Sequence, residues 1–210
     1  MVNLMNEKED TRQPSYFVAF PYNSDSYKGS TVLDFEPSAQ YSRLHSYLKG
    51  TPSAVSQEMI NEDGSLEGGA TTYGGDAPSR LLLYSEYNFI RAEAALRLGA
   101  SGNAETFFQE GIKASMAYAG VPAYVAEFGS LVGTEEEMLE QIINQKYIAN
   151  FGVLMENWTD WRRAGFPDIT PIPTPIAVYN EVPRSLFYPF NEVSSNPNIE
   201  QKESLQERVF

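Results

Sequence analysis

The chain has no cysteine and a single histidine, His45. The first absence excludes disulfides, thiolate metal sites and a cysteine nucleophile. The second excludes most metal sites built on imidazole. Cations are also scarce: 15 lysines and arginines face 28 aspartates and glutamates, a formal net charge of −13. Nucleic-acid partners need clustered basic side chains, and no run of five Lys/Arg occurs, so nucleic acids and anionic membrane surfaces are disfavoured. Neutral polar ligands stay open, and so do cationic ones. No apolar run approaches the roughly 18 residues that span a bilayer, and the opening MVNLMNEKEDTRQPSYF holds no signal-peptide apolar core. GxSxG, Walker and GxGxxG loops are all missing.

What is present is a hydrophobic fraction of 42% with 13% aromatics, enough for a real core. Residues 1–80 are punctuated by Gly, Ser, Pro, Asn and Asp, with tyrosines spread through them. They read as irregular, with short strands or turns at 16–20 and 31–35 and a short helix at 38–48. A loop-rich stretch of this length is functional, disordered, or packed against something else. It is expected to face a ligand or to pack against something outside these residues.

From Leu81 the pattern turns helical. Leu83, Tyr87, Ile90, Ala94 and Leu98 form one stripe, with Leu82, Phe89 and Leu96 on a neighbouring face. Ala92 and Ala95 keep the back small, so this helix is expected to be covered on several sides. Glu86, Glu93 and Arg97 form a polar wedge with a favourable Glu93–Arg97 spacing, and Gly99 is the stop. Asn103 caps a second helix that lines up Ala104, Phe108, Ile112, Ser115 and Ala119, with Gly111 allowing close approach. The pair predicts a tetratricopeptide-like hairpin, although no repeat of roughly 34 residues is visible elsewhere. Thr134 and Glu137 form a capping box for a third helix reaching about Phe151, and Gly152 breaks it. A shorter helix carries Trp158 and Trp161. Beyond Pro167 the density of proline forbids long helix and predicts an extended tail. The fold class is mainly α, helical pairs with long irregular loops, divided as a loop-rich segment 1–80 and a helical region with tail 81–210.

Two constellations suit a polyhydroxylated ligand. Trp158, Trp161 and Arg162 share a helical face, fit either for stacking on a sugar ring or for packing against the tail. Tyr22, Asn23, Asp25 and Tyr27 occupy one loop, and Tyr73 and Asp76 lie in a YGGD turn. Aromatic plates beside amide and carboxylate groups suit neutral sugars, while Asn, Asp and Gly also build ordinary turns. Catalysis has little support: 28 carboxylates always provide some pair at glycosidase separation, and His45 is the single imidazole base. The stretch 61–69, NEDGSLEGG, is oxygen-rich but lacks the acidic spacing of a calcium loop. No catalytic, metal or cofactor residue is assigned.

Five blocks in order, YSEYNFIRAEAALRLG (84–99), FFQEGIKASMAYAGV (107–121), QKYIANFG (145–152), WTDWRRAGFP (158–167) and VPRSLFYPFNEVSSN (182–196), resemble the C-terminal half of the SusD/RagB family. The resemblance covers about residues 78–196, and 1–77 match loosely. It implies tetratricopeptide-like helix pairs supporting a loop-rich ligand face. It further implies a non-enzymatic lipoprotein at the cell surface of a Gram-negative outer membrane, binding glycans and delivering them to a SusC-like TonB-dependent transporter. The lipidation cysteine of the family is absent and the length is about half, which reads as a C-terminal portion. No binding residue carries over by motif, so the expected ligand contacts are Tyr22, Asn23, Asp25, Tyr27 and Tyr73 from the loop chemistry. The matched blocks are structural helices, which favours a packing role for Trp158 and Trp161. A helical scaffold that binds another protein and no small ligand is the alternative reading.

Overall fold

A computed structural model describes residues 1–31, 34, 37–121, 129–169 and 181–207. Its helices are α1 (Val2–Glu7), α2 (Gln13–Tyr16), α3 (Ser46–Lys49), α4 (Tyr84–Leu98), α5 (Ala104–Tyr118), α6 (Glu135–Ala149), α7 (Leu154–Ala164) and α8 (Phe190–Ser195). Among the described residues there are no strands, only isolated antiparallel bridges such as Phe17 with Leu44. Residues Met1–Pro167 form one compact unit and Asp168–Phe210 a second.

Local chemistry places the long helices where the sequence put them. Asn103 accepts the backbone N–H of Thr106 at 2.9 Å, and Gly99 closes α4 in the left-handed region at φ 62°. Thr134 and Glu137 exchange both bonds of the capping box, satisfying orphan donors at the start of α6. Helices α4 and α5 pack closely, and α6 lies against both. Their shared core is Phe89, Ala92, Phe108, Ile112, Met116, Ile142 and Ala149. Gly111 sits against the Phe89 ring, where an added Cβ would fall 2.7 Å from Cε1.

The buried face of α4 differs from the expected one. Ser85, Glu86, Asn88, Phe89 and Ala92 point inward, whereas Tyr87, Ile90 and Leu98 are exposed, Leu98 at 82%. Of the inward polar groups, Asn88 donates to the Tyr84 carbonyl at 2.9 Å, the Ser85 hydroxyl is buried without a hydrogen-bond partner among the described residues, and Glu86 is paired. Glu86 meets the ammonium of Lys146 at 3.4 Å, and Lys146 also holds Asp160 of α7 at 2.8 Å. A buried carboxylate with a buried cationic partner is tolerable, so the helix can turn an acidic position inward. Glu86 therefore leaves the expected polar wedge. Glu93 and Arg97 stay at its rim, 3.8 Å apart, and Arg163 adds a bidentate hold on Glu93.

The irregular segment is tied to the helices by hydrogen bonds that close helix ends. The hydroxyls of Tyr16 and Tyr47 donate to the carbonyls of Ile148 at 3.1 Å and Ala149 at 3.2 Å, and Asn157 donates to the Asn150 carbonyl at 3.2 Å. Carbonyls in the last turn of a helix have no partner within it, so these side chains supply what α6 lacks. Around them Tyr16 stacks on Phe151 with ring centroids 4.9 Å apart and packs against Tyr47 at 4.2 Å. Burial pushes the Tyr16 phenol well above its ordinary pKa, opposed by the Arg12 charge.

The helix expected at 38–48 is two pieces, a 3₁₀ turn at Ser38–Gln40 and α3, with extended backbone between. The physical reason is tertiary: residues 41–45 pair with their neighbours, Val18 donating to the Arg43 carbonyl at 2.8 Å and His45 to that of Tyr16 at 2.9 Å. At 16–20 the chain completes a helical turn and then extends into this bridge. The expectation at 31–35 falls largely outside the described residues.

In the second unit residues 181–207 double back. Arg184 and Ser185 both donate to the Leu205 carbonyl at 2.9 Å, and Gln201 exchanges two bonds with the Tyr188 backbone, both at 3.0 Å. The short helix α8 interrupts what was expected to be extended. Residues 170–180, with three of the prolines, lie outside the described residues.

A candidate ligand groove in the loop segment

Residues 25–31 run across α1, and the surface is hollowed on either side. Asn6 fixes the crossing by donating to the Tyr27 carbonyl at 2.9 Å, and Gly29 passes so close to Val2 that a Cβ would stand 3.1 Å from its Cβ. On one side Asn6, Glu9, Gln13, Asp25, Ser26 and Tyr27 line a cleft of about 450 Å³. Burial, helped by the Asp25 charge, raises the pKa of the Tyr27 phenol, so Tyr27 keeps its proton and can donate to a ligand oxygen.

On the other side lies a groove of about 640 Å³. Phe17, Tyr41 and Phe151 give it aromatic walls, and Leu44, 47% exposed, adds an apolar lip. Ser30, Thr31, Ser38 and Ser42 supply hydroxyls, and Arg43 and Lys49 stand on the rim. The bridge between Phe17 and Leu44 sets this wall. Lys28 covers the Tyr41 ring with its ammonium 4.7 Å from the centroid, an arrangement that holds the ring by cation–π attraction. Aromatic faces next to hydroxyls and fixed donors match a polyol, which offers C–H faces and many hydroxyl groups.

The expected contact residues divide between these places. Asp25 and Tyr27 line the smaller cleft. Tyr22 packs on the small cluster of Val18, Leu66 and Ala70. Asn23 is exposed at a left-handed turn with φ 63°, a conformation asparagine adopts more readily than most residues. Tyr73 stands behind Lys49, whose ammonium is 3.9 Å from its ring centroid, and its hydroxyl meets His45 Nδ1 at 3.0 Å. Burial raises the Tyr73 pKa against the opposing charge of Arg43. Burial and Lys49 lower that of His45, so the histidine is held neutral in this pair. Asp76 is a turn brace: its carboxylate accepts from the backbone and hydroxyl of Thr51 at 2.6 and 2.7 Å.

Tyr41, Arg43 and Lys49 escaped the sequence reading. Taken as one helix, 38–48 puts Tyr41 and Arg43 on opposite sides of a cylinder, and only the extended backbone at 41–45 brings them to one wall, with Lys49 of α3 beside them. The apolar residues of YSRLHS, Tyr41 and Leu44, are three apart, a helix-like spacing, so no local signal marks the extended backbone. The other constellation, on α7, keeps its geometry: Arg162 lies 4.6 Å from the Trp158 ring centroid, and Trp161 is 8% exposed, which fits packing better than a sugar platform. Asn61 and Asp63 of the oxygen-rich stretch are engaged in a turn around Ser65. Among the described residues no helix is long and apolar enough to cross a membrane.

A family model described as "Starch-binding associating with outer membrane" matches residues 1–189. Among solved structures the chain is similar to a SusD homolog from Bacteroides thetaiotaomicron, at 25% identity and TM-score 0.59, over 92% of this chain and 43% of that one. A chitin-binding SusD homolog from Flavobacterium johnsoniae aligns at 23% identity and TM-score 0.63, over 92% and 43%. A SusD homolog from Bacteroides uniformis aligns at 22% identity and TM-score 0.63, over 98% and 47%. The last two likenesses speak for the fold alone. No curated protein matches the sequence. The chain spans less than half the length of these solved relatives. By the breadth of the family match, supported by a helical fold shared with these structures, the chain belongs to the SusD-like family.

Proposed function

We propose that this chain is a non-enzymatic, carbohydrate-binding portion of a nutrient-uptake protein at the cell surface of an outer membrane. Its loop segment holds an oligosaccharide, and a SusC-like TonB-dependent transporter receives it. The observation that carries the reading is the groove: aromatic walls from Phe17, Tyr41 and Phe151 beside a hydroxyl-rich rim, in a chain of a family described as starch-binding. The smaller cleft with Asp25 and Tyr27 extends the same face across α1. Calorimetry of the 210-residue chain against a panel of oligosaccharides tests it. Saturable binding that Tyr41→Ala weakens by about tenfold supports it, since an aromatic contact contributes about 0.5–1.5 kcal/mol beyond area burial. Absence of binding to every glycan overturns it. Delivery is tested separately, by co-purification with the transporter from outer membranes.

The scaffold alternative has one observation in its favour, the exposed stripe Tyr87, Ile90 and Leu98 on α4. Surface apolar stripes mark contact sites. Substitution of that stripe leaves glycan binding intact if the groove is the site, and the measurement distinguishes the two readings.

A further inference from the structure

The chain carries a net charge of −13, yet the charged side chains among the described lining residues of the groove are cations. They are Arg43 and Lys49, and no carboxylate is among the described lining residues. Each has its own anchor. Arg43 spends one N–H on the Leu66 carbonyl at 3.1 Å, leaving most of the five guanidinium donors. Lys49 rests its ammonium on the Tyr73 ring at 3.9 Å. Among the described residues neither cation pairs with a carboxylate. Elsewhere in the same unit Arg12, Arg97, Lys113, Lys146 and Arg163 pair with acids, while Arg80 and Arg91 lie over the rings of Tyr47 and Phe107. Asp34, next to the groove in sequence, accepts the backbone N–H of Thr31, which binds its carboxylate into its own turn.

Two cations without acid partners, on an aromatic-walled groove of an otherwise acidic protein, are a selective arrangement. Acids across the outer surface repel a polyanion generally, while the groove attracts one locally, so an anionic group gains only when it is seated. We propose that the groove takes an acidic glycan, with a carboxylate or sulfate group lying between Arg43 and Lys49 and the sugar faces on Tyr41 and Phe17. This rests on the carbohydrate-binding reading above and narrows its substrate class; the expectation of neutral sugars, drawn from overall charge, is the competing outcome.

Affinity electrophoresis and calorimetry of the 210-residue chain test the proposal with three groups of probes: polygalacturonate (carboxylate only), dextran sulfate (sulfate only), and neutral amylopectin, laminarin and chitin oligosaccharides. One anionic probe binds about tenfold more tightly than its neutral counterparts, and the gap narrows as ionic strength rises from about 0.02 M to about 0.3 M. Lys49→Gln weakens that probe about threefold and Lys49→Glu about tenfold, a larger loss than either variant shows for any neutral glycan. Lys49 is exposed, so these variants fold; Arg43→Gln is read alongside them with circular dichroism as a check. Equal binding of neutral and acidic glycans overturns the acidic assignment and leaves carbohydrate binding standing, and so does an acidic preference unchanged in Lys49→Glu and Arg43→Gln. Absence of binding to every probe overturns both.

Discussion

The guanidinium of Arg12 donates to the side-chain carbonyl of Gln145 at 2.8 Å, joining residues 133 positions apart. The same group reaches Ser115 of α5 at 2.8 Å and forms a fully buried ion pair with Asp10 at 2.6 Å. One side chain from the irregular segment thus meets two of the three long helices, α5 and α6. A buried charge is stable only when paired and hydrogen-bonded, and here the pairing ties the loop segment to the helices.

Removing Arg12 leaves Asp10 buried and uncompensated. Arg12→Met is expected to destabilise the chain by about 3–5 kcal/mol. Urea unfolding measures this, and the double variant Asp10→Asn with Arg12→Met is expected to recover part of the loss.

Lys146 answers two carboxylates, Glu86 and Asp160, at 3.4 and 2.8 Å, with all three side chains at most 7% exposed. Lys146→Met strands Glu86 and leaves Asp160 with Arg163 alone, at 2.9 Å, and is expected to cost about 3–5 kcal/mol. Glu93→Gln, at the exposed end of the same network, is expected to cost under about 1 kcal/mol. Thermal unfolding of the pair tests the contrast.

Gly111 has no room for a methyl group. Gly111→Ala places a Cβ 2.7 Å from the Phe89 ring, and Phe89 is itself fully buried. The overpacking is expected to cost about 1–3 kcal/mol despite the better helix propensity of alanine. Chemical denaturation of the variant gives the sign.

The carboxylates of Asp76 and Glu137 are held below their ordinary values of 3.8 and 4.5, chiefly by hydrogen bonds from Thr51 and Thr134. A depressed folded pKa contributes stability that is complete above the unfolded value and is lost as pH falls through the folded one. Asp76→Asn and Glu137→Gln are therefore expected to be less stable than the parent at neutral pH. The difference should shrink below about pH 4, which a pH series of melting temperatures reads directly.

Leu98 and Phe108 look alike as apolar positions of a helix stripe, but their environments differ: 82% exposed against 1%. Phe108→Ala is expected to cost about 3–5 kcal/mol and Leu98→Ala under about 0.5 kcal/mol beyond propensity. Parallel unfolding curves decide whether the buried face is the one seen.

Where a signal is local, the sequence carried it. The caps at Asn103 and Thr134, the stop at Gly99 and the Gly111 approach all depend on atoms within a few residues, or on a missing side chain. Rotation of α4 was misread because a stripe of apolar residues does not say which side is covered. The choice fell to Lys146, which makes an inward Glu86 affordable. The helix at 38–48 failed for a related reason: propensity there lost to the bridge with Phe17.

The helical class, the ends of the long helices and the family are legible in the sequence, because those rest on periodicity, capping chemistry and an ordered set of local blocks. The make-up of the cleft and the groove comes from the tertiary fold. Asp25 and Tyr27 are brought to a cleft while Asn23 is left at a turn and Tyr22 in a small core. Tyr41, Arg43 and Lys49 join Phe151, more than a hundred residues distant, on one groove. That placement follows from long-range hydrogen bonds and burial, whose partners no local pattern specifies.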